Sequence, residues 1–294
     1  MKFIQSFWSK PFTDSKHSNN WNYRHNGGYP NPFLFYASWC YSCLSIKKYY
    51  PNLHLITDDE GVYIFRDVLN LPYTSFSTRL NTLGDYDKGL WALGKLLAYS
   101  MQDKPFCHLD GDVFLFGSVL DKVIKKPIFC QSFDHDTDQY TEIHAYVHSH
   151  FNDVPKSFNG NLNNNLKLIN AGIIGGTNIK IFQDYTASAF ELINNNADKL
   201  NDINMGLLNL YYEQFLFSNI VEQQKFQVHT LFPETDQTPN FATFHNIPNE
   251  AQYVHLISHL KKSTEFLELI VARLFLEFPE YYERLKNVFK KELL

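Results

Sequence analysis

The stretch Phe106-Cys107-His108-Leu109-Asp110-Gly111-Asp112 joins a short apolar run to two aspartates separated by one glycine. The run is typical of a buried strand, and Asp-Gly-Asp is typical of the turn that ends one. In open α/β sheets, ligands bind outside the carboxyl ends of the strands. Two carboxylates on such a turn can converge on a hard divalent cation, Mg²⁺ or Mn²⁺. The motif alone leaves a solvated acidic turn open as the alternative.

Apolar patterns on both sides of this stretch predict strands that alternate with helices. Strands are expected at residues 3–8 and 53–57, and a helix with an apolar stripe at 89–102. Further helices are expected at 39–50, 179–194 and 205–220, and an apolar run at 166–174 returns the chain to the sheet. This alternation predicts an α/β fold whose mostly parallel sheet is flanked by helices.

The C-terminal residues 263–294 predict two amphipathic helices interrupted at Pro279. We therefore expect one domain over residues 1–262, with a helical extension over 263–294 packed on it. The apolar stripe of the extension favours core packing. A weak peripheral contact with an anionic membrane through the basic residues after it is the alternative. Near the other end, Asn26-Gly27-Gly28 predicts a turn with positive φ.

The composition excludes several classes of protein. The 294 residues are 44% hydrophobic and 19% charged, which excludes a disordered or fibrous chain, and a net charge of −5 argues against a nucleic-acid-coating protein. Four cysteines are too few for a secreted disulfide framework, and no leader or 18-residue apolar run is recognised. A cytoplasmic location is expected, with at most peripheral contact at the inner membrane face. The 16% aromatic content suits a large core or a ring-stacking cleft.

Two later segments carry side chains suited to a metal-bound diphosphate and a sugar. His255 can complete a Mn²⁺ site, and Lys261 can reach a diphosphate, with His259 as the alternative ligand. Asn170-Ala171-Gly172 follows a predicted strand. Its amide can bind a sugar hydroxyl, or it only satisfies the end of the strand.

Other polar positions are more ambiguous. Glu213-Gln214 is expected near a helix start, as a site pair or as a helix-surface pair. Asp58 ends a predicted strand near the expected nucleotide pocket, where it either receives nucleoside hydroxyls or belongs to a polar turn. A second metal site in the histidine-rich middle is disfavoured, because no His-x-x-x-His is recognised there on a convincing helix; its members are His135, His144, His148 and His150.

The order of these segments resembles the GT-A class of nucleotide-sugar glycosyltransferases, in particular the retaining group that includes glycogenin and bacterial lipooligosaccharide galactosyltransferases. The resemblance covers residues 33–262. It rests on the Asp-x-Asp of Asp110 and Asp112, on Asn170-Ala171-Gly172, and on His-x-x-Ser-x-x-Lys at 255–261, where the group has glycine for serine. The segment 5–8 and the Gly27-Gly28 turn also resemble uncharacterised bacterial proteins of this type, which implies no activity.

The resemblance implies a metal-dependent enzyme, a hexosyltransferase that transfers a glycosyl unit from a nucleotide diphosphate sugar to an acceptor hydroxyl with retention. Its setting would be bacterial glycan or surface polysaccharide synthesis. Asp110, Asp112 and His255 would hold Mn²⁺ or Mg²⁺, and Lys261 would contact the diphosphate. A UDP-sugar is the first expectation for the donor, and a glycan or a lipid-linked molecule for the acceptor.

The resemblance also implies contacts to the donor sugar. Lys95, on the helix before Asp-x-Asp, and the segment Asn170, Ala171 and Gly172 would contact the donor, and Gln214 or Glu213 would lie near its anomeric carbon. Lys95 is otherwise a solvated helix lysine. Two other classes stay open from the sequence: a nucleotidyltransferase on a similar fold, and a non-catalytic protein that binds nucleotide sugars.

Overall fold

The structure is a computed structural model that describes residues 1–13, 25–134, 138–160, 162, 166–231 and 243–294. Its strands are β1 (Lys2–Phe7), β2 (Leu53–Thr57), β3 (Ser75–Ser77), β4 (Phe106–Leu109), β5 (Val113–Leu115), β6 (Phe129–Cys130), β7 (Phe133–Asp134), β8 (Leu168–Ile169), β9 (Ile173–Gly176), β10 (His229–Thr230) and β11 (Tyr253–His255). Its α-helices are α1 (Lys10–Thr13), α2 (Pro32–Tyr49), α3 (Asp59–Val62), α4 (Leu93–Ser100), α5 (Thr141–His150), α6 (Ile179–Asn195), α7 (Met205–Leu210), α8 (Leu216–Gln223), α9 (Thr264–Glu277) and α10 (Pro279–Lys290). Two π-helical segments, Tyr63–Val68 and Tyr211–Phe215, continue α3 and join α7 to α8.

Within these ranges, seven strands form the central sheet in the order β10-β6-β9-β4-β1-β2-β3. β1 pairs in parallel with β2 and β4, β2 with β3, and β10 with β6, whereas β9 runs antiparallel to β4 and β6. β5 pairs with β11, and β7 with β8, in separate antiparallel pairs. The predicted α/β fold with a mostly parallel sheet is confirmed.

Both faces of the sheet are covered by apolar side chains. Phe3 and Phe7 of β1 lie in the hydrophobic cluster that includes α2, α9 and α10, and Ile4 lies in the cluster that includes α4 and α6. Side chains alternate between faces along a strand, so a strand buried on both faces needs apolar residues at successive positions. This requirement explains the apolar runs that the sequence shows at the strands.

The predicted elements are largely present, with shifts that have local causes. The helix expected at 39–50 begins at Pro32, because the Asn31 side chain accepts a hydrogen bond from the Leu34 amide and proline suits the first turn. The helix expected at 89–102 is the shorter α4, preceded by turns. The apolar run 166–174 is divided between β8 and β9, with Asn170-Ala171-Gly172 between them.

The two C-terminal helices pack against α2 and against each other. Phe266, Leu267, Ile270 and Leu274 of α9 are buried in the same cluster as α2, and Pro279 occupies the first turn of α10. The division at residue 262 stays a prediction, since both sides of it share this cluster. Across the described part of the chain, no helix combines the length and the apolarity needed to cross a membrane.

Two leucines of α9 allow a matched test of this packing. We expect Leu274→Ala to lower the free energy of unfolding by about 2–5 kcal/mol, because Leu274 is fully buried and its removal leaves a cavity. Leu276 lies two residues away and is 74% exposed, so Leu276→Ala should change that free energy by less than about 0.5 kcal/mol. Urea denaturation measures both. Equal effects of the two substitutions would contradict the packing.

Candidate functional site

The turn after β4 carries the two aspartates of the motif. The Asp110 amide donates to the Gly172 carbonyl at 2.8 Å, and the Val113 amide donates to the Asp110 carbonyl at 3.1 Å, which closes the turn. A Cβ at Gly111 would lie 2.3 Å from Cε2 of Trp39, so no other residue fits between the aspartates without displacing that indole. The predicted position of the motif at a strand's carboxyl end is confirmed.

Antiparallel pairing of β11 with β5 brings His255 to this turn. His255 is opposite Val113 in the ladder, and the Leu256 amide donates to the Asp112 carbonyl at 3.0 Å. The His255 side chain is therefore held next to Asp112, while His259, the alternative from the sequence, is exposed on the turn that follows.

Asp110, Asp112 and His255 form the one group of three or more potential metal-ligating side chains among the described residues. One ligand atom from each lies within 4.8 Å of the other two. Oδ1 of Asp112 is buried and takes part in no hydrogen bond, and His255 Nε2 lies 3.3 Å from it. A buried carboxylate oxygen without a donor favours a cation, and two carboxylates with one imidazole suit Mn²⁺ or Mg²⁺.

Lys95 of α4 lies beside Asp110 and is not a solvated lysine. Its Nζ is 2.9 and 3.0 Å from the two carboxylate oxygens of Asp110, contacts Glu213, and donates to the Ala171 carbonyl at 3.3 Å. Burial lowers the pKa of Lys95, but Asp110 and Glu213 outweigh it and raise that pKa above its usual range. The ammonium group therefore stays protonated and links the two carboxylates.

Lys261 compensates the other aspartate. Its Nζ is 2.6 Å from Oδ2 of Asp112 and donates to the Gly27 carbonyl at 3.2 Å. Burial raises the pKa of Asp112, but Lys261 and His255 outweigh it and hold that pKa well below its usual range. Gly27 has φ +59° and is flanked by Asn26 and Gly28 with positive φ, so the predicted turn is confirmed and provides the carbonyl that Lys261 binds.

Lys95, Asp110, Asp112 and Lys261 line a cleft with about 630 Å³ of empty space, open solvent included, whereas His255 and Glu213 are not among its lining residues. Its other lining residues are mostly aromatic: Trp8, Phe12, Tyr29, Phe35, Trp39 and Trp91. Rings of this kind stack on bases and on the apolar faces of sugars. The sequence indicated such a cleft only through its aromatic content, because these residues come from separate segments and share no motif.

The segment Asn170-Ala171-Gly172 contributes to the site through its backbone. The Asn170 side chain accepts a hydrogen bond from the Gly172 amide at 3.0 Å, and the Ala171 carbonyl accepts from Lys95. A Cβ at Gly172 would lie 2.2 Å from Cε1 of His255, so this glycine makes room for the imidazole. The contacts of these three residues with a donor sugar stay predictions.

The pair Glu213-Gln214 lies within a helical stretch, not at a helix start. Both residues belong to the π-helical segment between α7 and α8. Glu213 is 3% exposed and faces Lys95, whereas the Gln214 side-chain oxygen accepts a hydrogen bond from the Tyr140 hydroxyl at 2.8 Å. Of the two, Glu213 is the residue that the fold brings to the charged cluster.

Asp58 has a structural role that accounts for both of its oxygens. Oδ1 accepts from the Gly61 amide at 2.9 Å and so caps α3, and Oδ2 accepts from the Ser9 amide and hydroxyl at 2.8 and 2.7 Å. It is not among the residues that line the cleft. Its contact with a nucleoside stays a prediction.

In the histidine-rich middle, a His-x-x-x-His does lie on a helix, which was not expected from the sequence. His144 and His148 form a His-x-x-x-His on α5, with ring centroids 4.3 Å apart, and His135 lies outside the described residues. Each ring already contacts a protein group: His144 Nδ1 is 2.8 Å from the Tyr211 hydroxyl, and His148 Nε2 is 3.3 Å from the Phe158 carbonyl.

The model of one protein family matches residues 1–288 of the chain. The chain belongs to DUF6734, a family of unknown function. No curated protein matches it in sequence.

Several solved structures are similar to this one. The galactosyltransferase LgtC in complex with donor and acceptor sugar analogues has a TM-score of 0.39 and 10% identity, over 73% of this chain and 71% of LgtC. The bifunctional glycosyltransferase WbbM has a TM-score of 0.46 and 13% identity, over 97% of this chain and 51% of WbbM. The glycosyltransferase GlyE of Streptococcus pneumoniae TIGR4 has a TM-score of 0.37 and 10% identity, over 99% of this chain and 64% of GlyE.

These neighbours are glycosyltransferases, the class that the sequence motifs resemble. At TM-scores below 0.5 the likeness supports no further conclusion, and function has to be argued from the site.

Lys95 can be tested against a solvent-exposed lysine. We expect Lys95→Met to lower the free energy of unfolding by about 3–5 kcal/mol, because the buried carboxylate of Glu213 and the partly buried one of Asp110 lose the ammonium group between them. Lys180 pairs with Asp184 on α6 but is 76% exposed, so Lys180→Met should cost less than about 1 kcal/mol. Chemical denaturation at neutral pH compares the two. A Lys95 variant as stable as the Lys180 variant would contradict the buried charge network.

Proposed function

We propose that this chain is a metal-dependent glycosyltransferase. It transfers a glycosyl unit from a nucleotide diphosphate sugar to an acceptor hydroxyl. The observation that carries the proposal is the convergence of Asp110, Asp112 and His255. The two aspartates, with Lys95 and Lys261, line a cleft walled by aromatic rings. Such a site offers charge to a diphosphate and flat apolar surfaces to the rings on either side of it.

The charges of the site support a divalent cation together with a diphosphate. The three carboxylates of Asp110, Asp112 and Glu213 exceed the two ammonium groups of Lys95 and Lys261 by one negative charge. A divalent cation reverses that sign, and the diphosphate of a nucleotide sugar then brings an anion to a positive site. Buried charge is tolerated only when it is compensated. The site is therefore expected to bind the cation more tightly with the diphosphate present, and the diphosphate more tightly with the cation present.

Each charged residue has a role in this proposal. Asp110, Asp112 and His255 would hold Mn²⁺ or Mg²⁺, for which the donor-free Oδ1 of Asp112 is suited. The bound ion would supply positive charge that stabilises the nucleoside diphosphate leaving group. Lys261 would keep its contacts with Asp112 and the Gly27 carbonyl and direct its third hydrogen to a phosphate oxygen.

During transfer, the bond between the anomeric carbon and the diphosphate oxygen breaks, and its electron pair leaves with the nucleoside diphosphate. A bond from the acceptor oxygen to the anomeric carbon replaces it, and the hydroxyl proton passes to an oxygen of the leaving diphosphate. We include retention of configuration in the proposal. Glu213 shares Lys95 with Asp110, which supports giving Glu213, and not Gln214, the position near the anomeric carbon.

The donor is proposed to be a UDP-sugar, and the acceptor a glycan or a lipid-linked molecule, as in bacterial surface polysaccharide synthesis. Asn170, Ala171 and Gly172 would border the donor sugar. A peripheral membrane contact of α10 stays a prediction, and the burial of the α9 stripe leaves only the basic residues of α10 to make it.

Donor binding tests the metal group. We expect a thermal-shift screen of UDP-, GDP- and CMP-sugars to show stabilisation by a UDP-sugar that depends on Mn²⁺. In Asp112→Asn, the loss of one carboxylate should raise the donor Kd at least about tenfold and abolish its dependence on Mn²⁺, as titration calorimetry measures.

Asp184→Asn, at an exposed aspartate paired with Lys180, is the control and should bind as the unsubstituted chain does. Circular dichroism checks that both variants are folded. A folded Asp112→Asn protein with unchanged metal-dependent binding would refute the assignment of Asp112.

Product analysis tests the reaction. With a UDP-sugar, Mn²⁺ and water or an added sugar as acceptor, we expect UDP and a product whose anomeric configuration matches the donor, read by proton NMR. A nucleotidyltransferase would instead release pyrophosphate from a nucleoside triphosphate and a sugar phosphate. A non-catalytic protein would bind the donor and release nothing. Asp112→Asn should reduce UDP release to the background rate.

A further inference from the structure

Gln131 lies directly behind the proposed metal site and was not predicted from the sequence. It follows β6 and is fully buried, and its backbone carbonyl accepts a hydrogen bond from the Leu231 amide at 3.1 Å. Its side-chain oxygen Oε1 is 2.8 Å from Nδ1 of His255. Its Nε2 has no hydrogen-bond partner. The side-chain amide of Gln131 therefore makes one hydrogen bond, and its partner is the imidazole of His255.

Oε1 of Gln131 faces Nδ1 of His255 and favours the form of the ring with a hydrogen on that nitrogen. An amide oxygen only accepts, so Nδ1 donates to it, and in the neutral ring Nε2 then keeps its lone pair. In that neutral form, Nε2 and Oδ1 of Asp112, which are 3.3 Å apart, are both acceptors. Oδ1 of Asp112 is buried and has no hydrogen bond. Two facing acceptors are stabilised by a cation that both can bind.

Packing holds the imidazole against the amide. A Cβ at Gly172 would lie 2.2 Å from Cε1 of His255 and 2.9 Å from Oε1 of Gln131, so the ring and the amide fill the space above that glycine. β11 fixes the backbone of His255 through its pairing with β5. The ring thus has little freedom to rotate away from Gln131.

We propose that Gln131 is a positioning residue that fixes the tautomer and the orientation of His255 for metal binding. The proposal rests on the metal part of the proposed function and extends it to a residue that touches neither metal nor donor. A ligating histidine commonly donates its other N–H to an oxygen that orients the ring and makes it more basic, and loss of such a partner weakens metal binding about 10–100-fold.

Mn²⁺ titration followed by electron paramagnetic resonance tests this role. We expect Gln131→Leu to raise the Mn²⁺ Kd about 10–100-fold. Gln131→Glu keeps an acceptor at the same position and should bind Mn²⁺ at least as tightly as the unsubstituted chain. Gln102→Leu removes another buried glutamine, whose amide donates to the Ala98 carbonyl, and should leave the Mn²⁺ Kd unchanged.

A double substitution separates positioning from general support of the fold. In a His255→Ala background, Gln131→Leu should have no further effect on Mn²⁺ binding, because there is no imidazole left to orient. A Gln131→Leu effect of equal size with and without His255 would overturn the proposal, as would an unchanged Kd in the single variant.

The tautomer can be read without metal. Long-range ¹H–¹⁵N NMR of the metal-free protein should show His255 with its hydrogen on Nδ1, identified by the signals that His255→Ala removes, and this state should be depleted in Gln131→Leu. A hydrogen on Nε2 in the unsubstituted chain would overturn the inference. If that chain shows the Nδ1–H form but binds no Mn²⁺, the metal part of the proposed function fails while the contact with Gln131 stands.

Discussion

Asp112 is buried and Asp110 is partly buried, and two such carboxylates on one turn need positive charge beside them. This requirement joins distant parts of the chain. Lys95 of α4 compensates Asp110, and Lys261, which follows β11, compensates Asp112. Glu213, from the helical stretch beyond β9, shares Lys95. These groups are largely shielded from water. If one partner is removed, the charge that remains is neither paired nor solvated. The charges that form the site therefore also hold its segments together.

The surroundings of the charges matter as much as the charges themselves. The aromatic residues of the cleft lower the local dielectric, which strengthens the attraction between the site and an anionic ligand. The same residues offer flat surfaces to rings, so a ligand with a charged centre between two rings satisfies both features. A nucleotide sugar has this form, with its diphosphate between the nucleoside and the hexose.

The sequence predicts the part of the site that follows strands. Asp110, Asp112 and His255 were recognised because strand ends fix their positions, and the order of the motifs added Lys95 and Lys261. Other parts could not be predicted, because they depend on contacts between segments without a motif. Gln131 is a lone glutamine after a strand of two residues. The Glu213 side chain is directed toward Lys95 by a π-helical segment, which rotates side chains relative to their positions in a regular helix. Asp58, by contrast, is of a residue type that is preferred at helix N-caps, a local signal that sequence reasoning could have weighed more heavily.

The two glycines of the site show why this geometry is fixed before any ligand arrives. From the sequence, Gly172 was expected to contact the donor sugar. In the structure both Gly111 and Gly172 are limited by rings: a Cβ would lie 2.3 Å from the Trp39 indole at the former and 2.2 Å from the His255 imidazole at the latter. Each ring packs directly on backbone, and backbone moves less readily than a side chain. The turn with the aspartates and the imidazole facing it are thus held by steric contact, so ligand binding need not order them.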